Sequence, residues 1–218
     1  MKHIINSISF ILLGVLTMSC QKQNMHSGNS MQEQIASLPK EAINIEERNG
    51  LILMREEEKM AHDVYSFLYD KWNIMIFNNI ASSEQTHTDA VLKLLDKYDI
   101  DDPASGKNIG VFNDTSLQRM YNQLLINGNY SLLSALTVGA TIEDLDIYDL
   151  EKLILKVDNQ DIAFVYNNLL KASRNHMRAF YSQIVNNGGT YRAKYISQQQ
   201  LEDIVNSPKE VGSWKKSK

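Results

Sequence analysis

Residues 77–94, from Phe77 to Leu94, read FNNIASSEQTHTDAVLKL and carry the clearest indication of the fold. Steps of three and four residues define one helical face, on which only Glu84 and His87 are neither apolar nor aromatic. These two side chains lie three residues apart and therefore point the same way. A buried carboxylate without a partner is costly, and a metal ion would remove that cost. The stretch therefore predicts a core-facing helix that carries two metal ligands.

The composition fits one folded domain. The chain has 218 residues, of which 43% are hydrophobic, and this suffices for a single full core. The net charge of -4 does not suit binding to nucleic acid, so no nucleic-acid partner is predicted. Only three prolines occur, at positions 39, 103 and 208, which permits long helices between them.

The N-terminal residues are predicted to be separate from this domain. A short basic start and a mostly apolar run predict a signal peptide over residues 1–19. Cys20, the only cysteine, follows directly, which resembles a bacterial lipoprotein signal, although Thr17 departs from the usual leucine. We expect a lipid anchor at Cys20 that holds the protein at a bacterial cell envelope, on the periplasmic or surface side; an ordinary cleaved signal is the alternative. Residues 20–40 are predicted to form a flexible tether.

The domain, residues 41–206, is predicted to be an all-α, four-helix bundle. The long helices are expected at about residues 45–70, 74–98, 131–157 and 160–186. The short turn after the first helix predicts an antiparallel neighbour. A long crossover with a short helix at about 117–126 joins the pairs, as in ferritin-like bundles. One more short helix is predicted at 197–205, and residues 207–218 are predicted to be a disordered tail.

Polar groups interrupt the apolar face of each long helix near its middle. In chain order they are Glu58, Glu84, His87, Glu143, Asp146, Ser173 and His176. Four interruptions at similar depth are hard to explain as four solvated faces, so they predict one buried cluster. Its four carboxylates carry a charge that two divalent ions would balance, and the imidazoles complete a ligand set suited to iron or manganese. Glu56 and Glu57 are rotated off this face and are predicted to point to solvent or to the edge of the site.

Three segments carry a resemblance to a known family. They are MREEEKMAHDVY at residues 54–65, IEDLDI at 142–147 and ASRNHMRAF at 172–180. Through them the chain resembles the ferritin-like di-iron carboxylate proteins, and more narrowly a bacterial ferritin-like family known as a domain of unknown function, DUF2202. The resemblance covers about residues 45–205 and implies a four-helix bundle with a dinuclear site at its centre.

The resemblance also implies which residues bind metal. The implied ligands of two iron ions, with manganese as the alternative metal, are Glu58, Glu84, His87, Glu143 and His176. Ser173 departs from the pattern, which usually has glutamate there, and this leaves the site one bridging carboxylate short. Asp146 lies on the same face as Glu143 and is the candidate replacement. If it does not reach, the site is expected to bind one metal or to bind weakly.

Three further residues are candidates beyond the ligands, and two of them, His62 and Tyr65, have alternative interpretations. His62, four residues after Glu58, is a ligand, a neighbour of the ligands, or a partly exposed helix histidine, and the last is favoured. Ser173 is expected to contact the ligands. Tyr65 is a candidate catalytic residue that relays electrons or protons, or else a core tyrosine with a satisfied hydroxyl.

Three functions are open on these observations. The first is a redox enzyme, an oxidase, peroxidase or ferroxidase that uses O2 or peroxide. The second is a metal-binding module without turnover, and the third is a structural helical bundle without metal. Buried carboxylates that repel one another argue against the third function. Assembly into a homodimer is an additional expectation.

Overall fold

The structure of the protein is a computed structural model that describes residues 30–212. In this part of the chain it contains seven helices and no strand, which confirms the predicted all-α fold. The helices are α1 (Met31–Ser37), α2 (Ile45–Trp72), α3 (Met75–Lys97), α4 (Thr115–Gly128), α5 (Leu132–Ile154), α6 (Gln160–Asn186) and α7 (Gln198–Asn206). The predicted signal peptide and Cys20 lie outside the described residues, as do residues 213–218.

The four long helices form the predicted bundle. α2 packs along α3 and α5 along α6, and a short turn joins each pair, so the helices within a pair run antiparallel. α2 also contacts α5, and α3 also contacts α6. The short helix α4 lies in the crossover between the pairs and packs on α2 and α5. None of the helices within residues 30–212 has the length and apolar character that crossing a membrane requires.

The helix boundaries follow signals in the sequence. α2 begins after Asn44, whose side chain accepts a hydrogen bond from the backbone N–H of Glu47, while the Glu47 carboxylate accepts one from the backbone N–H of Asn44. α2 continues past the predicted end at Asp70 and stops at Trp72. The next residue, Asn73, has a φ of 52°, which asparagine tolerates and which turns the chain toward α3.

The long helices pack closely in the layer of the core that contains Gly139 and Phe180. A Cβ atom at Gly139 of α5 would lie 2.4 Å from Cε1 of Phe180 in α6, so the two helices approach as closely as glycine allows. The ring of Phe180 packs 5.4 Å from that of Tyr65 and 5.9 Å from that of Phe77. Because these residues come from all four long helices, the layer fixes the helices relative to one another.

Residues 31–37 do not form the predicted tether. They form helix α1, which starts at Ser30 with a capping box to Glu33. The side chain of Ile35 is fully buried. Nζ of Lys97 donates hydrogen bonds to the carbonyl groups of Ile35 and Leu38, at 3.0 and 2.9 Å. One apolar anchor and one lysine therefore dock a segment whose composition is otherwise polar.

The start of the predicted disordered tail is also held on the bundle. The carboxylate of Glu210 accepts hydrogen bonds from Arg174 at 2.8 Å and from Arg178 at 3.1 Å. Its backbone N–H donates to Oδ1 of Asn175 at 2.9 Å. These charge-assisted contacts to α6 order the chain beyond α7.

Candidate metal centre

The first group of candidate ligands joins α2 and α3. Glu58, Glu84 and His87 each offer one ligand atom, and these atoms lie within 4.8 Å of one another. Nδ1 of His87 lies 2.6 Å from Oε2 of Glu84 and 3.2 Å from Oε2 of Glu58. All three residues are buried, so a cation here would be enclosed by the bundle.

The second group joins α3, α5 and α6. Glu84, Glu143 and His176 also bring one ligand atom each within 4.8 Å of the others. Nδ1 of His176 lies 2.9 Å from Oε1 of Glu84 and 3.4 Å from Oε2 of Glu143. The four long helices therefore contribute to one cluster, as their interrupted faces predicted.

The carboxylate of Glu84 belongs to both groups. Its Oε2 faces His87 and its Oε1 faces His176. The two imidazole rings stack with 5.9 Å between their centroids. Glu84 therefore presents one carboxylate oxygen to each of the two ligand groups.

Several of these buried polar atoms have no hydrogen-bond partner among the described residues. They are Oε1 of Glu58, Oε1 of Glu84, Oε2 of Glu143 and Nδ1 of His176. The contacts of His176 with Glu84 and Glu143 are close, but they lack hydrogen-bond geometry. Buried polar atoms are normally satisfied, so a cluster of unsatisfied ones fits a site for a cation.

The electrostatics of the cluster show how protons and cations would compete for it. Burial raises the pKa of Glu58 to about 8, against the opposing effect of His87. Burial also favours a higher pKa for Glu84, but His87 and His176 outweigh it and hold that pKa well below its usual range. Burial lowers the pKa of His176, whereas Glu84 and Glu143 raise it, to about 10. In the metal-free state, therefore, the imidazoles hold protons that bound cations would displace.

Tyr65 contacts one of the candidate ligands directly. Its hydroxyl donates a hydrogen bond to Oε1 of Glu143 at 2.5 Å and also lies 3.2 Å from the carbonyl oxygen of Gly139. The side chain is fully buried. Burial and the charge of Glu143 raise the pKa of Tyr65 well above its ordinary value, so the hydroxyl keeps its proton.

Asp146 lies beside the two groups and belongs to neither of them. It is 1% exposed, and both of its carboxylate oxygens are without a partner in the described part of the chain. Burial raises its pKa well above the ordinary value, and the charges of Glu58 and Glu143 raise it further. Its role as the replacement bridging ligand stays a prediction.

Ser173 and His62 also lie outside both groups. The buried hydroxyl of Ser173 donates to the carbonyl oxygen of Leu169, at 3.1 Å, and so bonds to its own helix. The side chain of His62 is 28% exposed, and its Nδ1 lies 3.1 Å from Oδ1 of Asp63. The structure thus places His62 as the partly exposed helix histidine that was favoured.

Glu56 and Glu57 were predicted to point to solvent or to the edge of the site. They do not point to solvent, since both are buried. The carboxylate of Glu56 accepts hydrogen bonds from the backbone N–H groups of Asn113 and Asp114, at 2.5 and 3.0 Å. It thereby holds the chain just before α4. Glu57 has an unpartnered Oε2 within the described residues. A bundle helix contacts two neighbours, so its buried surface is wider than the single face defined by steps of three and four residues. In the sequence, the run of three consecutive glutamates was the feature that could have indicated this burial.

Together these features define an all-α bundle protein with two buried carboxylate–histidine groups that share one carboxylate. The family described as "Uncharacterized protein domain (DUF2202)" matches residues 47–208 of the chain. The chain belongs to this family.

The chain is similar to a protein whose crystal structure is known. The chain is 56% identical over 182 residues to the uncharacterized protein MJ0754 of Methanocaldococcus jannaschii, covering 84% of this chain and 98% of the relative. A crystal structure of that hypothetical protein superposes with a TM-score of 0.78, covering 80% of this chain and 99% of the other. Because this relative is archaeal, the family is not confined to bacteria.

Proposed function

We propose that the protein is a ferritin-like dinuclear metal protein that holds two iron or manganese ions. We further propose that O2 or peroxide oxidises the bound metal. The observation that carries this proposal is the shared carboxylate of Glu84, with one oxygen toward His87 and the other toward His176. A bridging carboxylate between histidine-containing groups on a helical bundle is the arrangement of di-iron carboxylate sites.

The residues present fit these metals. Carboxylate oxygen and imidazole nitrogen are donors that iron and manganese accept. Once deprotonated, the carboxylates of Glu58, Glu84, Glu143 and Asp146 would carry four negative charges, which two divalent ions would neutralise. The unpartnered oxygens of these residues would gain a partner on binding.

If two ferrous ions were bound, their oxidation to ferric iron would make two electrons available to O2 or peroxide. The surrounding residues would control that chemistry. Glu84 holds the two ligand groups together, and burial of Glu84 and Glu143 excludes bulk water from them. Tyr65 orients Glu143 through its hydrogen bond and keeps a proton in contact with that carboxylate. These contacts make Tyr65 the candidate relay for an electron or a proton.

Metal binding without turnover is the second candidate function. Ser173 occupies the position where a second bridging carboxylate is expected, and its hydroxyl is bonded to Leu169. A site with a single bridging carboxylate would hold two cations less firmly relative to one another, which would favour binding over paired electron transfer. A purely structural bundle is disfavoured because buried carboxylate oxygens without a partner among residues 30–212 would be costly in the absence of a cation.

Anaerobic loading with ferrous iron, followed by rapid mixing with O2 or peroxide, tests the proposal. We expect about two ions per chain and oxidation faster than that of free ferrous iron. Glu84→Gln keeps the size of the side chain but weakens both groups, so it should lose most of the metal. Glu46→Gln changes the same charge at an exposed position of α2 and should behave like the wild type.

The outcomes separate the candidate functions. Metal bound in stoichiometric amount but oxidised no faster than in solution would leave only the binding module. Equal metal content in the wild type and in Glu84→Gln would contradict the assignment of the site.

We also propose that the protein is held at a bacterial cell envelope by a lipid on Cys20. The support is the basic start, the apolar run and the position of the only cysteine. Mass spectrometry of the N-terminal peptide from the membrane fraction tests this. An unmodified N-terminal peptide in the soluble fraction contradicts it.

A further inference from the structure

The interface between α2 and α5 carries acidic residues that the ligand groups do not use. Two contacts fix how these helices align. Tyr65 of α2 reaches Glu143 of α5, and a Cβ at Gly50 of α2 would lie 2.9 Å from Cδ2 of Leu153. The helices therefore run antiparallel, and the stretch of α2 between Tyr65 and Gly50 lies beside the stretch of α5 that follows Glu143.

Three carboxylates lie along this part of the interface. Asp146 and Asp149 follow Glu143 at intervals of three residues. Glu143, Asp146 and Asp149 therefore share one side of α5 over about 9 Å. Glu57 belongs to the facing stretch of α2, about midway between Gly50 and Tyr65, and its side chain is buried. We call Asp146, Glu57 and Asp149 the acidic row.

The inner members of the acidic row are buried and unsatisfied. Glu57 is 2% exposed and Asp146 is 1% exposed. Oε2 of Glu57 and both oxygens of Asp146 have no hydrogen-bond partner within residues 30–212. The neighbouring Glu56, by contrast, is satisfied by two backbone N–H groups. The row therefore holds buried acceptor oxygens that the described part of the chain leaves without a partner.

The acidic row leads from the buried site toward the surface. Glu143 is fully buried, Asp146 nearly so, and Asp149 is partly exposed. Tyr195 lies near the outer end and is itself partly exposed. Its ring packs 6.2 Å from that of Tyr148, the residue before Asp149. Tyr195 is thus placed to cover the outer end of the row.

We propose that the acidic row is the passage by which divalent cations move from solvent to the buried ligand groups, with Tyr195 at its outer end. The inference rests on the proposed metal site. Moving a cation into a protein core is costly, and unpaired carboxylates along the way lower that cost. Among the described residues, the acidic row brings no three ligand atoms together within 4.8 Å. It therefore suits transit better than permanent binding.

Stopped-flow loading of the whole protein with Co²⁺, followed by its visible absorbance, tests the passage. Glu57→Gln and Asp149→Asn each replace a carboxyl group, which can become a carboxylate toward a cation, by an uncharged amide of nearly the same shape. We expect each to slow loading roughly ten-fold while the final number of bound ions stays at the wild-type value. Glu46→Gln, an exposed residue on the same helix as Glu57, should load at the wild-type rate. Tyr195→Ala should load faster, because it uncovers the outer end.

The possible results are distinct. Wild-type loading rates in both Glu57→Gln and Asp149→Asn overturn the passage. A lower final stoichiometry in Glu57→Gln also overturns it, because Glu57 would then be a ligand. If the wild type binds no Co²⁺ at all, the metal site itself fails. Melting temperatures of the variants show whether slow loading reflects loss of the fold.

Discussion

At the scale of single residues, the contact between Tyr65 and Glu143 links the aromatic core to the candidate ligands. Tyr65→Phe keeps the ring packed against Phe180 but removes the donor to Glu143. We expect the metal-free protein to lose roughly 1.5–3 kcal/mol of unfolding free energy, since a buried carboxylate loses a hydrogen bond. Denaturant unfolding measures this.

The same variant tests the relay role. If Tyr65 passes an electron or proton, Tyr65→Phe should bind the wild-type amount of iron and oxidise it more slowly. Tyr69→Phe, one turn later on α2, is the control and should leave the oxidation rate unchanged. Wild-type oxidation in Tyr65→Phe would assign the hydroxyl to orientation of Glu143 alone.

At the scale of helices, the close approach of α5 and α6 depends on Gly139. Gly139→Ala gains up to about 1 kcal/mol of helix propensity, but its Cβ would lie 2.4 Å from the buried ring of Phe180. We expect the clash to dominate, with a net loss of about 1–3 kcal/mol. Thermal or denaturant unfolding of the metal-free protein measures the change.

A second substitution checks this explanation. Gly139→Ala combined with Phe180→Leu should lose less stability than the two single changes added together, because the clashing ring is gone. A Gly139→Ala variant more stable than the wild type would show that α5 shifts without cost.

The segment after α6 is held on α5 by one carboxylate. Asp144 accepts hydrogen bonds from the Tyr191 hydroxyl at 2.7 Å and from the backbone N–H groups of Lys194, Tyr195 and Ile196 at 2.5, 3.3 and 2.9 Å. Asp144→Ala should cost about 3 kcal/mol or more, since several buried donors lose their partner. Asp203→Ala on α7 is the exposed control, and unfolding curves that coincide for both variants would contradict the role of Asp144.

The helices and the main ligands were predictable from sequence because both follow the helical repeat. Glu84 and His87 interrupt an otherwise apolar face, and the structure buries both. The burial of Glu57 was not predicted because the sequence pattern describes one face of a helix, whereas α2 packs against both α3 and α5. Helix α1 was missed since a single buried residue, Ile35, anchors it, and the lysine that binds its carbonyl groups lies far away in the sequence.

At the scale of the whole molecule, the protonated site makes metal-free stability depend on pH. The folded-state pKa of His176 is about 10 and that of Glu58 about 8, both above their ordinary values. Between the ordinary pKa and the raised one, the folded state holds a proton that the unfolded state has lost. The metal-free protein should therefore lose stability as pH rises, through Glu58 between about 4.5 and 8 and through His176 between about 6.5 and 10.

Bound metal should change this dependence, because ligands on a metal have already released their protons. The gap in melting temperature between manganese-loaded and chelator-treated protein should widen from about pH 6.5 to about pH 8.5. Thermal unfolding with and without chelator measures the gap. A gap that narrows over this range would contradict the protonation described for His176 and Glu58.

The division of the ligands between the two helix pairs has a consequence for the lifetime of the protein. Glu84 comes from the pair α2–α3, whereas Glu143 and His176 come from the pair α5–α6. The crossover is the only covalent connection between these pairs within the described chain. A cation at the second group would therefore act as a non-covalent cross-link that closes a long loop. Amide exchange on the inner helix faces should then slow on loading, and turnover of the protein in the cell would follow the supply of metal.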